Sequence, residues 1–311
     1  MSEVVLIGEP MVVFAANEVG ELDEVNTFTR FLAGAEANVA IGMARLEHDV
    51  CYVTKLGKDP FGYFIDKRLK SEGVHTQIAY DNKHLTGYYL KSKAVKTDPE
   101  VAYFRKNSAA SWYTSEDAEW IDLTDTKLIH LTGIFPPLSQ NCLEATYRII
   151  DRAKELGITI SFDPNLRPTL WKDKETMIRV INDIASKADI VLPGVGEGKI
   201  LAGSDEPEKI AQFYHNLGAK IVAVKAGAKG AYILKGESAD FYPGFKAEKV
   251  VDTVGAGDAF ATGFLSAYLE GLSIEEMAKR ANALGAMQVQ VAGDNDGLPT
   301  REKLAAFFEK N

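Results

Sequence analysis

The chain is poor in the residues that staple small or secreted folds. It has two cysteines, Cys51 and Cys142, in 311 residues, and they stand in no Cys-x-x-Cys or Cys/His spacing. A disulfide framework and a structural zinc centre are therefore not expected, and both thiols read as small buried hydrophobes. Positive charge is also short: 35 Lys and Arg against 44 Asp and Glu give a formal net charge of −9. A general nucleic-acid binder needs a basic face to meet phosphates, which argues against that class. A single phosphate site built from backbone amides stays open. No run approaches the ~18 apolar residues of a membrane-crossing helix. The opening MSEVVLIGEPMVVF carries Glu3 and Glu9 and no basic residue, unlike a signal peptide, so a cytoplasmic protein with no membrane partner is expected. The five histidines (His48, His75, His84, His130, His215) show no HExxH spacing, and Ser108 and Ser111 lack a GxSxG context. No GxGxxG follows the first apolar run and there is no Walker loop. Zinc protease, serine hydrolase, dinucleotide-binding and P-loop readings all lack their motifs.

What is present is ordinary globular composition, 46% hydrophobic and 25% charged. At ~150 residues per domain the length suggests about two domains, or one large α/β domain with an insertion. Such a chain buries roughly three-quarters of its unfolded surface and needs no covalent staple. Short apolar runs alternate with helical periodicity, the pattern of a parallel α/β sheet. Strands are predicted at 4–8, 50–56, 128–131, 159–163, 190–192 and 221–225. Helices are predicted at 35–45, 61–72, 138–156, 174–185, 207–216, 257–270 and 273–291. Pro207 suits a first helical position, where its missing N–H costs nothing. Gly157, Gly218 and Gly271 each follow a helical run and suit a left-handed C-cap.

Two stretches, 11–31 and 85–112, break this rhythm. YYLKSKAV and VAYFRK alternate with a period of two. Both stretches lie between βα units, so they read as insertions that meet in space as a small accessory sheet, a lid over the larger domain of a single body spanning 1–311.

The sharpest motif is VDTVGAGDAF, residues 251–260, which runs directly into the apolar helix ATGFLSAYL. Gly255, Ala256 and Gly257 are small enough to turn backbone N–H groups outward at a helix N-terminus, where unpaired amides and the helix dipole attract an anion. Asp258 in such a loop would compete with that anion unless it has a chemical task. One task is general-base catalysis on a hydroxyl that attacks a phosphoryl group. The plainer alternative is that Asp258 caps the helix.

DTVGAGDAF resembles the C-terminal signature of the ribokinase (pfkB) family of carbohydrate kinases, and LAGAEANVAIGMARL, residues 32–46, resembles the N-terminal one, with Ala33–Gly34 in place of the usual glycine pair. The resemblance covers essentially the whole chain. It implies a ribokinase-like three-layer α/β sandwich with a mainly parallel central sheet, and a β-sheet lid that closes on the sugar. It also implies ATP with Mg2+, and Asp258 as the catalytic base above an anion hole of Gly255, Ala256 and Gly257. VAVKAGAKG, residues 222–230, resembles the family's nucleotide-lining segment, which assigns Lys225, Gly227 and Gly230 to ATP, together with Asn165 and Asn282. As residues alone, the two glycines would equally suit a strand-to-hairpin turn. Of the family's Asn-x-x-Glu motif, the matching Gly194-Val-Gly-Glu197 keeps only the acid, so Glu197 is expected to reach magnesium through water.

Three segments bear on the acceptor. AYFRKNSAA places Tyr103 and Arg105 two apart on a predicted lid strand, so both face one side. FDPNLRPTLW puts Arg167 just past the end of a predicted parallel strand, where α/β proteins bind ligands. Tyr89 lies on the other lid strand. Two arginines and two tyrosines suit a carboxylate, which guanidinium grips in a two-pronged fashion. Alternatively, Arg105 is a solvated lid charge and Arg167 a structural partner of Asp163. The strings YFRKNSAAS and DPNLRPTLW resemble those of the family's sugar-acid kinases that phosphorylate the C6 hydroxyl of 2-keto-3-deoxygluconate. That resemblance implies acceptor contacts from Gly34, Tyr89, Tyr103, Arg105, Ile134, Arg167, Asp258 and Asp294. The competing readings are a fructokinase or other neutral-sugar kinase, and a non-catalytic sugar-binding regulator. Lid strands with an apolar face often pair between subunits, so a homo-oligomer is expected.

Overall fold

The structure is a computed structural model that describes residues 2–93 and 99–311. Thirteen strands follow in chain order: β1 (Val4–Ile7), β2 (Met11–Val19), β3 (Phe28–Ala33), β4 (Val50–Gly57), β5 (His75–Asp81), β6 (Tyr88–Lys93), β7 (Val101–Phe104), β8 (Leu128–Thr132), β9 (Thr159–Asp163), β10 (Ile190–Val191), β11 (Ile221–Lys225), β12 (Gly230–Lys235) and β13 (Ser238–Pro243). The helices are α1 (Ala35–Arg45), α2 (Pro60–Ser71), α3 (Ser115–Glu119), α4 (Gln140–Glu155), α5 (Lys174–Ala185), α6 (Val195–Leu201), α7 (Pro207–Asn216), α8 (Ala256–Leu269), α9 (Ile274–Gln288) and α10 (Arg301–Lys310).

Nine strands form one sheet in the order β13-β12-β11-β10-β9-β8-β1-β4-β5. It is parallel from β11 to β5, and β12 and β13 add an antiparallel hairpin at one edge. Successive side chains point to opposite faces, so each strand feeds two cores. Val4 and Leu6 pack under α1, α2, α8, α9 and α10, while Val5 and Ile7 pack under α3, α4, α5, α6 and α7. A strand buried on both faces reads as the continuous apolar run VVLI rather than an alternating one. The result is a three-layer α/β sandwich with a mainly parallel sheet.

β3, β2, β6 and β7 form a separate four-stranded sheet. One of its faces is pinned to the body by aromatic contacts: Phe14 and Tyr88 meet Phe61 of α2 edge-on, at centroid distances of 5.5 and 5.4 Å, and Tyr88 stacks on Phe104 at 4.9 Å. The insertions are shorter as strands than the alternation suggested. β7 ends at Phe104, and Ala109–Trp112 is a 3-10 turn. The end of YYLKSKAV, Ala94 and Val95, lies outside the described residues, as do 96–98 within the predicted 85–112 stretch.

Element ends follow their caps. Asp59 accepts from the N–H groups of Phe61 and Gly62 and starts α2 at Pro60, while Ser139 accepts from Cys142 and delays α4 to Gln140. Gly157, Gly218 and Gly271 all have positive φ. Among the described residues, no helix is long and apolar enough to cross a membrane.

The helices α8 and α9 approach closely at Gly263. A Cβ there would lie 2.7 Å from the Arg280 carbonyl oxygen and 2.8 Å from the Ala281 Cα. Gly263→Val must push the helices apart. It is expected to lower unfolding stability by about 1–3 kcal/mol, the usual cost of overpacking, in urea denaturation. A variant as stable as the parent would contradict this packing.

Candidate active site

The loops that leave the C-terminal ends of the parallel strands converge on one cavity of about 520 Å³. This is the edge at which open α/β sheets bind ligands. β1 delivers Glu9, β8 delivers Ile134, β9 delivers Asn165 and Arg167, β10 delivers Gly194, and β11 ends on Lys225. The small sheet forms the opposite wall with Met11, Tyr89, Lys91, Val101 and Tyr103. The head of α8 supplies Gly255, Gly257 and Asp258.

Gly255 is the N-cap of α8, with φ 76°, a conformation that L side chains rarely adopt. A Cβ on Gly255 would lie 2.2 Å from the Asp294 carbonyl oxygen, so the loop seats tightly on its neighbour. Gln288, fully buried, holds the same region by donating to the carbonyls of Val254 and Gly293. Among the described residues no hydrogen bond takes up the N–H of Gly257 or Asp258. A helix N-terminus with free amides on a cavity wall suits an anion. The Lys225 ammonium stands beside it, 3.5 Å from where a Gly257 Cβ would be.

Asp258 does not act as the cap. It is the third residue of α8, and its carboxylate accepts from the side-chain amides of Asn38 (2.8 Å, Oδ2) and Asn165 (3.2 Å, Oδ1). Asn38 is itself oriented by Asn295, whose amide donates to its Oδ1 at 3.1 Å. Asn165 reaches its position with a φ of 38°, unusual for a residue other than glycine. Burial pushes the Asp258 carboxyl up to about 7; the Asn38 bond opposes this, Asp163 adds to it, and Lys225 and Arg167 offset it. Such a value places a base near its working pH.

Around this centre the ionic groups are mostly paired. Lys225 Nζ lies 2.5 Å from Asp163 Oδ2, so Asp163 partners Lys225 and not Arg167. Burial works against the lysine's charge, but Asp163 and Glu197 hold its pKa above the ordinary value. Both oxygens of Glu197 accept backbone N–H groups, from Leu166 at 2.8 Å and Gly194 at 2.7 Å. Arg167 is exposed at the cavity mouth, and its Nη1 donates to the Leu166 carbonyl at 3.0 Å. Arg105 is ion-paired with the buried Glu9 and is not a solvated lid charge. Tyr89 donates to Asp294 at 3.3 Å. Burial raises the Asp294 carboxyl to about 6, against the pull of Lys91 and the Tyr89 hydroxyl. Gly34 has φ 134°, and a Cβ there would meet the Pro10 backbone at 3.1 Å. Ala33, the last residue of β3, needs no such freedom, which is why alanine serves there.

Not every sequence-predicted position joins the cavity. Gly227 and Gly230 make the turn from β11 to β12, where a Gly230 Cβ would lie 2.0 Å from the Tyr242 carbonyl oxygen. Asn282 donates its amide to the carbonyls of Tyr242 and Pro243, tying α9 to β13. Ala256 lies between two lining residues without lining the cavity itself. Conversely, Glu9, Glu36, Asn38 and Lys91 line the cavity and went unread as site residues. Glu36 is fully buried, takes a hydrogen bond from Thr132, and is pushed up to about 7, chiefly by burial. The available signal was two polar residues, Glu36 and Asn38, in the first turns of an otherwise apolar helix.

The raised carboxyl has a stability consequence with a definite sign. Asp258 titrates higher folded than unfolded, so its contribution is present at low pH and is lost as pH rises through about 7. Asp258→Asn removes the buried charge and keeps the shape. At pH 8 the variant is expected to melt above the parent in thermal denaturation, with the gap closing toward pH 5. A variant less stable than the parent at pH 8 would contradict this account.

Comparison with known proteins follows the same outline. The family model for pfkB family carbohydrate kinases matches residues 1–301. The chain is 48% identical over 308 residues to the 2-dehydro-3-deoxygluconokinase of Bacillus subtilis (strain 168), covering 98% of this chain and 95% of that protein. The crystal structure of a PfkB protein from Polaromonas sp. JS666 superposes with a TM-score of 0.90 at 42% identity, covering 98% of this chain and 100% of that one. A putative ribokinase II from E. coli, solved in complex with ATP and Mg2+, does so with a TM-score of 0.90 at 25% identity, with both chains covered completely. Sequence, fold and cavity agree, and the chain belongs to the pfkB family of carbohydrate kinases.

Proposed function

We propose that this chain is an ATP-dependent kinase that transfers the γ-phosphoryl group of MgATP to the C6 hydroxyl of 2-keto-3-deoxygluconate. The observation that carries the reading is a single cavity in which a buried carboxylate at a helix N-terminus, Asp258, faces two arginines, Arg105 and Arg167. The Bacillus subtilis relative, nearly half identical along its whole length, bears the name of that activity.

In this reading Asp258 takes the proton of the C6 hydroxyl as its oxygen bonds to the γ-phosphorus. The bond from phosphorus to the bridging oxygen breaks, leaving ADP and the sugar-acid 6-phosphate. The free N–H groups of Gly257 and Asp258 face the charge that builds on the transferred group, and Lys225 adds a fixed positive charge beside them. Asn165, Gly255 and Ala256 complete the phosphate side, and the turn from Gly227 to Gly230, with Asn282 behind it, borders the nucleoside. Among the described residues no three His, Cys, Asp or Glu side chains converge as metal ligands. Glu197 lines the cavity and would reach magnesium on the nucleotide's phosphates through water, where the ion would neutralise phosphate charge. Arg105 and Arg167 would take the acceptor's carboxylate. Gly34, Tyr89, Tyr103, Ile134 and Asp294 would shape the pocket around its carbon chain, and the small sheet would act as a lid.

ADP release by the purified protein with MgATP, across keto-deoxy acids and neutral sugars, tests the reading. Turnover of the keto-deoxy acid should exceed that of fructose. Asp258→Asn should lose at least ~100-fold in kcat, as expected for a general base. On the acid side, kcat/KM should fall about tenfold per pH unit below about 7, because Asp258 that already carries a proton cannot take the one from the hydroxyl. Equal turnover of fructose would favour a neutral-sugar kinase, and no ADP with any acceptor would favour a binding protein.

The cavity-facing side of the small sheet leaves Phe31, Val101 and Tyr103 exposed. These are pairing neighbours of Val13, Lys91 and Tyr89 and so lie on one face. We propose that a second copy of the chain covers this face. Sedimentation should then show a dimer or larger species that Phe31→Asp weakens; a monomer at micromolar concentration would refute it.

A further inference from the structure

Arg105 enters the cavity from one residue past the end of β7, but its direction is set from the opposite wall. Nε and Nη2 both donate to Oε2 of Glu9, Nε at 2.7 Å. Among the described residues no hydrogen bond reaches Nη1. Glu9 follows β1, and its side chain is only 1% exposed. It is fixed on its other side: the Ser108 hydroxyl donates to Oε1, and Gly87 is packed so closely that a Cβ there would lie 2.9 Å from that oxygen. Two N–H groups on a single carboxylate oxygen occupy one edge of the guanidinium and leave the Nη1 edge for the cavity. An arginine just past a lid strand has several rotatable bonds to order when it grips a ligand, and ordering it beforehand removes that cost from binding.

We propose that Glu9 is a positioning residue for the acceptor's carboxylate, acting through Arg105 by holding its Nε and Nη2 edge so that Nη1 meets the substrate. This deepens the sugar-acid reading and rests on it. Glu9 does not touch the reacting oxygen, which lies with Asp258. Its loss should therefore weaken acceptor binding without slowing phosphoryl transfer. Ser108, through its bond to Glu9, should share the effect to a smaller degree.

The test is steady-state ADP release by the full chain, varying the keto-deoxy acid at saturating MgATP and MgATP at saturating acid, for Glu9→Gln, Ser108→Ala, Arg105→Ala and the Glu9→Gln/Arg105→Ala double variant. Glu9→Gln keeps the size and one acceptor oxygen but loses the charge. It is expected to raise KM for the acid about five- to tenfold, from one rotamer-rich side chain left unordered. The kcat and the KM for ATP should stay within about twofold. The double variant should bind the acid no worse than Arg105→Ala alone, because both act through one guanidinium. Ser108→Ala should raise the same KM about two- to threefold, and it carries the test if Glu9→Gln fails to fold. If Arg105→Ala raises the acid KM and neither Glu9→Gln nor Ser108→Ala does, the positioning role is wrong and the sugar-acid reading stands. If Arg105→Ala leaves that KM unchanged, the sugar-acid grip itself fails and this inference with it. A fall in kcat with both KM values disturbed would mark Glu9 as a general structural support and overturn the proposal.

Discussion

The structure turns on keeping one carboxylate buried, basic and next to an anion site. Asp258 lies within the first turn of α8, whose free amides attract negative charge. A direct cation would be the usual partner for a buried carboxylate, but it would pull the pKa down, away from the range that suits the proposed base. The chain satisfies Asp258 instead with two neutral amides, Asn38 and Asn165, which complete its hydrogen bonds without adding a charge. The nearest lysine, Lys225, is drawn to Asp163 and kept as a neighbour. Several features then find one reason. Asn295 orients the Asn38 amide, Asn165 takes up a strained φ, and Gly255 admits the backbone of Asp294 at a distance no side chain would allow.

The same logic reconciles an acidic protein with two anionic ligands. The cavity wall carries five carboxyl side chains (Glu9, Glu36, Glu197, Asp258, Asp294) against four cations (Lys91, Arg105, Arg167, Lys225). The count of side chains alone gives no excess of positive charge to explain binding. What the wall has is direction: Lys91, Arg105 and Lys225 are each paired with a carboxylate, to Asp252, Glu9 and Asp163 respectively. Each carboxylate holds its cation in place. Net charge thus limits long-range attraction, while the site is decided by which edge of each cation is left uncovered.

The parts legible in the sequence share one property: their signal is local. Buried parallel strands read as apolar runs, and α1, α5 and α7 were bounded correctly by periodicity and caps. β5, by contrast, is an edge strand, HTQIAYD, whose half-exposed residues give no apolar run. The strand-to-hairpin turn that suits Gly227 and Gly230 leads into β12 and β13, but the outer strand, SADFYP, is largely exposed and gives no run of its own, and the five-residue α3 is too short to show a period. In the cavity, the lining glycines and arginines sit in strings that carry their own signal. Glu9 does not, because its meaning comes from Arg105, 96 positions away. Asn282 sits in a recognisable helix, but the structure spends its amide on the β13 carbonyls, which spacing could not reveal.

The attachment of the small sheet follows from these pairings. On one face it is anchored by the rings of Phe14 and Tyr88 against the ring of Phe61 in α2. On the cavity side it is joined to the body by Tyr89 to Asp294, Lys91 to Asp252 and Arg105 to Glu9. Each brings a cavity-lining residue (Tyr89, Lys91 or Arg105) whose polar atoms a bound ligand can also use. The two attachments differ in kind: the first is aromatic packing on α2, the second a set of polar pairs made by cavity-lining residues. The proposed lid closure would therefore act on the second set, because only those polar atoms are shared with the cavity.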